Sequence, residues 1–223
     1  MKWIPLVFFM IFGVLNTSGQ SLRFPSVLDG EDLQLRKAIV LADGRSLTIE
    51  TFKFFVGHVT FFNAGQIVLH DNTYHLIDAT DPESLTVLLA ITDEIKYDSV
   101  SFCLGVDSTT SVSGAFGGDL DPTNGMYWTW NSGYINFKLE GTSPLCNTTK
   151  NAFNFHLGGY LVPYRSTQYV GFHVASKKDL TIRIDLSNFF AEVDLAKDHT
   201  IMSPSLRAVE FSSIFARSFQ IVN

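Results

Sequence analysis

Alternation of apolar and polar residues with a period of two is the feature of this 223-residue chain that most constrains its fold. Leu180, Ile182 and Ile184 alternate with Thr181 and Arg183, a pattern typical of a strand with one buried and one wet face. Further segments of strand-like composition lie at residues 85–91, 99–106, 133–139 and 153–156. With turn signals between them, these segments predict an all-β fold, specifically an antiparallel β-sandwich of the Greek-key or jelly-roll type.

Turn and cap signals divide this pattern. Residues 43–44 (Asp-Gly) and 63–65 (Asn-Ala-Gly) are typical of hairpin turns. Residues 107–125 are rich in Ser, Thr, Gly and Asp, and predict a long loop of the kind that is often functional. Ser203 as a cap and Pro204 at the first helical position predict one short helix near the C-terminus.

The first residues have the pattern of a secretory signal peptide. Lys2 precedes an uncharged run at residues 3–15, and small residues at 17 and 19 form a cleavage signal. The run is too short to cross a bilayer, which needs about 20 apolar residues. We therefore expect a leader over residues 1–19 and a single domain over 20–223, exported to the periplasm or the extracellular space and not integral to a membrane.

Charge and motif content exclude several classes of function. The formal net charge is −6 and only 17% of the residues are charged, with no block of Lys and Arg, so a nucleic-acid partner is not expected. Hydrophobic residues make up 46% of the chain, too many for a disordered protein. No G-x-S-x-G, H-E-x-x-H or Walker sequence occurs, and we predict that the protein is not an enzyme.

Two further features leave alternatives open. Export would place Cys103 and Cys146 in an oxidising compartment, where they could form a disulfide or remain free thiols. Residues 119–125 gather oxygen donors before a glycine but lack the closing Glu of a calcium loop. Because Asp-Pro and Asn-Gly are also ordinary turn pairs, a turn is the favoured interpretation of that segment.

Histidines and tryptophans are the remaining candidates for chemistry. Imidazole in an exported protein suits copper or zinc, but no two histidines stand at i and i+2 on one strand, so no local ligand pair is evident. Trp128 and Trp130 follow the long loop and would face the same side of a strand. The histidines are His58, His70, His75, His156, His173 and His199.

Five segments resemble the MbnP-like family of exported copper-binding proteins, which is associated with methanobactin systems. They are residues 74–78 (YHLID), 105–108 (GVDS), 121–134 (DPTNGMYWTWNSGY), 137–141 (FKLEG) and 155–159 (FHLGG). The resemblance extends from about residue 35 to residue 186, and it implies a β-sandwich that binds copper.

The resemblance also implies a site. His75 and His156 would be the copper ligands, with His70 as the rival of His75. Trp130, next to Trp128, would be oxidised to kynurenine by a partner dihaem peroxidase-like enzyme of the MbnH type, and the modified residue would assist copper binding.

A second interpretation is a non-metal extracellular adhesion or interaction domain, in which the tryptophan pair belongs to the core. This interpretation requires that His75 and His156 lie far apart and that each is satisfied by protein hydrogen bonds.

Overall fold

The computed structural model describes residues 19–89 and 95–222, so the predicted leader, except for its last residue, lies outside the described residues. Within them, three α-helices are present: α1 (Ser108–Val112), α2 (Leu186–Glu192) and α3 (Leu206–Ala216). The strands are β1 (Gln20–Arg23), β2 (Ser26–Leu28), β3 (Glu31–Asp32), β4 (Ala38–Val40), β5 (Ser46–Asn63), β6 (Gln66–His70), β7 (Tyr74–Asp78), β8 (Thr86–Leu89), β9 (Ser99–Leu104), β10 (Tyr127–Trp128), β11 (Gly133–Thr142), β12 (Ala152–Gly158), β13 (Gln168–His173), β14 (Asp179–Asp185), β15 (Thr200–Ile201) and β16 (Phe219–Val222).

The strands form two mixed sheets, which confirms the prediction of an all-β, sandwich-like fold. The smaller sheet has the order β3-β2-β14-β1-β8, with β16 also paired to β14. The larger sheet has the order β13-β9-β5-β11-β12-β15. Most pairs are antiparallel, but β1 and β2 run parallel to β14, and β12 runs parallel to β15. None of the described helices is long and apolar enough to cross a membrane.

The 18-residue strand β5 organises the larger sheet. One of its edges pairs with β11 and then with β9, and its other edge pairs with β4, β7 and β6. Its alternating residues divide between two apolar clusters. Phe52, Phe54 and Val56 enter the main core between the sheets, whereas Phe55 points to a smaller cluster on the opposite face. We call that second side of the larger sheet the outer face.

The predicted helix near the C-terminus is present as α3, but its start was misplaced. The capping residue is Ser205, whose hydroxyl oxygen accepts a hydrogen bond from the amide of Ala208. Ser203 and Pro204 precede the helix. A second helix that the sequence did not predict, α2, begins at Leu186, because Asp185 ends β14 and caps the helix through the amide of Ser187.

Candidate functional site

The centre of the outer face is a β-bulge in β5. Gly57 pairs with Cys103 of β9, and the next pair joins Thr60 to Ser101, so β5 has one extra residue between these pairs. His58 lies in the bulge with φ at +52°, a left-handed conformation that is uncommon outside glycine. Bulges of this kind re-aim a side chain and are frequent next to functional sites.

Tyr74 packs over the strand at this bulge. A Cβ atom at Gly57 would lie 2.5 Å from two carbons of the Tyr74 ring, so the ring can occupy this place only because residue 57 has no side chain. The tyrosine ring stands edge-on to the imidazole of His58, with 5.2 Å between the ring centroids.

His58 is held by two oxygens. Its Nε2 lies 2.8 Å from Oδ2 of Asp107 and 2.8 Å from the hydroxyl oxygen of Tyr74. The other carboxylate oxygen of Asp107 accepts from the amide of Thr110 at 2.7 Å and caps α1. Burial acts to raise the pKa of Asp107, but the hydrogen bonds from Thr110, Tyr74 and His58 hold that pKa below its ordinary value. The group is therefore a carboxylate at neutral pH.

His70 lies next to His58 on the same face. It is paired with Thr60 across β5 and β6, and its Nδ1 lies 2.7 Å from the Thr60 hydroxyl. The rings of His58 and His70 are inclined by only 10°, with 6.1 Å between their centroids. We call His58, His70, Thr60, Tyr74 and Asp107 the histidine cluster.

The hydrogen bonds determine which nitrogen of each ring carries the proton. An unprotonated Nε2 of His58 would set its lone pair against the Asp107 carboxylate at 2.8 Å, so the proton lies on Nε2. The Thr60 hydroxyl donates its single proton to the carbonyl of His58 at 3.0 Å and must accept from Nδ1 of His70. In the neutral form of each ring, Nδ1 of His58 and Nε2 of His70 keep a lone pair, and neither has a hydrogen-bond partner among the residues that the structure describes.

The two histidines implied as ligands by the resemblance are not brought together. His75 pairs with Val56 and so belongs to the core-facing row of the sheet. His156 pairs with Lys138 on the outer face, three strands away along β7-β5-β11-β12. Strands are about 4.8 Å apart, which puts the two backbones on the order of 14 Å apart and the side chains on opposite faces. The structure therefore does not bring the two side chains together, and their assignment as copper ligands stays a prediction.

Each of these two histidines has an acidic partner of its own. Nε2 of His75 lies 2.9 Å from Oδ2 of Asp71, at the edge of the sheet. Nε2 of His156 lies 2.7 Å from Oε1 of Glu140, and the imidazole is almost wholly buried. The hydrogen bond from His156 lowers the pKa of Glu140 to about 2, against the opposing effect of burial. Each imidazole is therefore hydrogen-bonded within the protein through Nε2, and neither Nδ1 has a hydrogen-bond partner among the residues that the structure describes.

The tryptophans occupy contrasting environments. Strand β10 ends at Trp128, so Trp130 lies in the following turn and not on the strand as predicted. Trp128 is 6% exposed and Trp130 is 64% exposed, with 5.7 Å between their ring centroids. The Trp128 ring packs on Gly158, where a Cβ would lie 2.6 Å from the ring. Gly158 is two residues from His156 and on the same face, so the buried tryptophan is a neighbour of His156.

In this structure the two cysteines are both free and buried. Cys103 lies opposite Gly57, whereas Cys146 follows a turn whose Ser143 hydroxyl donates to the carbonyl of Ser46. Ser46 and Gly57 are eleven residues apart on β5, or on the order of 30 Å at the rise of a strand, far beyond the reach of a disulfide. Burial raises the pKa of the Cys103 thiol to about 12, so it remains protonated.

The oxygen-rich segment before β10 is a pair of tight turns, as the sequence favoured. The Asp121 carboxylate accepts from the amide and hydroxyl of Thr123, and Asp119 accepts from the amide of Leu76. The Asn124 side chain closes the segment on the carbonyls of Gly118 and Asp119. These contacts are those of ordinary turns.

The sequence placed His58 among six candidate histidines without assigning it a site and gave Asp107 no role, although Asp107 lay within a motif already singled out. A glycine inside an otherwise apolar strand is a signal of a bulge, and Gly57 directly before His58 carried that signal. Among the described residues, no three His, Cys, Asp or Glu side chains are placed around one point suited to a metal ion. What the histidine cluster offers is a pair of imidazoles.

The fold and this cluster define a mixed-sheet β-sandwich with paired imidazoles on the outer face of its larger sheet. Residues 17–203 match the model of the MbnP family, and the chain belongs to that family. Its fold is similar to that of MbnP from Methylosinus trichosporium, with a TM-score of 0.60 over 86% of this chain and 82% of that one, at 15% sequence identity. No curated relative matches the chain.

Proposed function

We propose that the protein is an exported, non-enzymatic copper-binding protein and that it holds one Cu(I) ion between His58 and His70. The observation that carries the proposal is the pair of nearly parallel imidazoles with one free nitrogen each. Imidazole is a good ligand for copper, and two neutral imidazoles suit Cu(I), whereas Zn²⁺ in proteins usually takes four ligands. Membership of the MbnP family supports a copper-related role.

The closeness of the rings supports the same assignment. The centroids of His58 and His70 are 6.1 Å apart, so the two imidazoles are neighbours, and an ion shared by them needs metal–imidazole bonds of about 2 Å. The Asp107 carboxylate contacts Nε2 of His58. It therefore holds the orientation of the ring and leaves Nδ1 for the metal ion.

Copper titration of the metal-free protein under reducing conditions tests this function. We expect one Cu(I) per chain, in competition with a chromophoric Cu(I) chelator, and much weaker retention of Zn²⁺. No binding of Cu(I) would refute the proposal. It would favour the second candidate, an extracellular interaction domain, which the separate hydrogen bonding of His75 and His156 supports.

We further propose that Trp130 is the residue that a partner dihaem peroxidase-like enzyme oxidises to kynurenine. Trp130 is largely exposed, and the exposed apolar side chains Leu161, Val162 and Tyr164 lie in the same part of the molecule as the recess lined by Asn131 and Tyr160. An enzyme that docks there would contact the exposed Trp130 directly. The buried Trp128 ring lies beside Trp130 and would be out of direct contact.

Intact mass and peptide mapping of the protein secreted by its native host test the modification. We expect kynurenine at position 130 and an unchanged tryptophan at 128, because only Trp130 is accessible. Protein produced without the partner should keep both indoles, and a Trp130→Phe variant from the native host should show no modification. Kynurenine at 128 alone, or at neither position, would contradict the proposal.

A further inference from the structure

We infer that Asp107 is a positioning residue that fixes His58 in the Nε2–H tautomer and thereby makes Nδ1 the metal-binding nitrogen. This inference rests on the proposed copper function. Metal-binding histidines almost always donate their other ring N–H to a carboxylate, a carbonyl or a water molecule, which fixes the tautomer and the ring orientation.

The Asp107 carboxylate is itself fixed by the backbone. One oxygen accepts from the Thr110 amide at 2.7 Å and the other contacts Nε2 of His58 at 2.8 Å. The start of α1 thus dictates where the second oxygen lies. The Asp107 amide also donates to the Tyr74 hydroxyl at 3.3 Å, so the Tyr74 oxygen is placed beside the same imidazole nitrogen.

Tyr74 reinforces the same tautomer. Its hydroxyl lies 2.8 Å from Nε2 of His58 and 3.3 Å from the hydroxyl of Thr110. When the Tyr74 hydroxyl donates its proton to Asp107 or Thr110, its oxygen can accept a hydrogen bond from Nε2–H of His58. Both oxygens near Nε2 therefore favour a proton on that atom.

Thr60 has the equivalent role for His70. Its hydroxyl proton is committed to the His58 carbonyl, so it can only accept from Nδ1 of His70. The His58 backbone thus influences the tautomer of His70. The His58 carbonyl takes the Thr60 hydroxyl proton, so the Thr60 oxygen is left to accept from His70.

The Asp107→Asn variant tests the role of the carboxylate. Asn caps a helix about as well as Asp, so its oxygen can stay on the Thr110 amide while its NH₂ group faces His58. Because the NH₂ group only donates, Nε2 must become an acceptor and the proton must move to Nδ1. We expect a change of the His58 tautomer in the ¹⁵N spectrum of the metal-free protein and a loss of about 10–100-fold in Cu(I) affinity.

Asp71→Asn is the matched control. Asp71 contacts Nε2 of His75 at 2.9 Å and accepts from the Thr73 amide at 3.1 Å, so the same substitution acts on a histidine outside the cluster. It should perturb the His75 imidazole and leave Cu(I) affinity unchanged.

The ¹⁵N spectra of the metal-free protein test the role of Asp107 independently of copper binding. A wild-type His58 with its proton on Nδ1, or an Asp107→Asn variant that keeps the Nε2–H tautomer, would overturn the inference even if copper binds. If the wild-type protein binds no Cu(I), the copper function fails, and the tautomer change on its own still shows whether Asp107 positions His58. Unchanged Cu(I) affinity in Asp107→Asn with an altered tautomer would show that Nδ1 is not the ligand and would also overturn the inference.

Discussion

Replacement of His58 and His70 together by alanine is expected to reduce Cu(I) affinity by more than about 100-fold, beyond the 10–100-fold that the loss of an outer partner typically costs. The two rings are the only pair of imidazoles on the outer face that the described residues bring within stacking distance. Their removal deletes both ligands. Competition titration against a Cu(I) chelator measures the loss, and each single variant should show a large part of it.

The matched control is the double variant His75→Ala/His156→Ala, which removes the same number of imidazoles from elsewhere in the sheet. We expect its Cu(I) affinity to stay within a few-fold of the wild type. If this control loses copper and the His58→Ala/His70→Ala variant keeps it, the ligands have been assigned to the wrong histidines. The tryptophan-adjacent His156 would then be the first alternative.

The largest effect on stability is expected from Phe54→Ala. Phe54 is fully buried and its ring packs against four others, with centroid distances of 6.2, 5.4, 5.5 and 5.6 Å to Phe24, Phe52, Phe215 and Phe219. Truncation would remove contacts to the β1–β2 connection, to β5 itself, to α3 and to β16 of the smaller sheet at once. Buried Phe→Ala changes cost about 3–5 kcal/mol, and urea unfolding at equilibrium measures the loss.

Phe116→Ala serves as the control for the same chemical change at an exposed position, since Phe116 is 43% exposed. We expect a change in the free energy of unfolding of about 0.5 kcal/mol or less there. Equal losses in the two variants would mean that the core between the sheets does not hold the fold together as described.

Periodicity was sufficient to predict most of the larger elements. The apolar residues of β14 and β12 alternate because one face of each strand enters the core, and both strands lie where the pattern indicated them. The hairpin turns at residues 43–44 and 63–65 were recognisable because positive φ at Gly44, Ala64 and Gly65 restricts which residues fit. The parallel pairing of β1 with β14 was not predictable, since the two strands are separated by most of the chain.

The candidate site was harder to predict because it depends on pairing between strands. His58 and His70 are twelve residues apart and meet only through the β5–β6 hairpin and the bulge at Gly57. His75 and His156 were placed together by analogy. Whether two residues of different strands share a face depends on register, and a shift of one residue moves every side chain to the other face.

The most direct test of the central claim is a crystal structure of the Cu(I)-loaded protein with anomalous diffraction at the copper edge. We expect one strong anomalous peak in contact with Nδ1 of His58 and Nε2 of His70, and Asp107 still hydrogen-bonded to Nε2 of His58. A peak at His156 beside Trp128, at His75, or at any position away from the histidine cluster would contradict the claim.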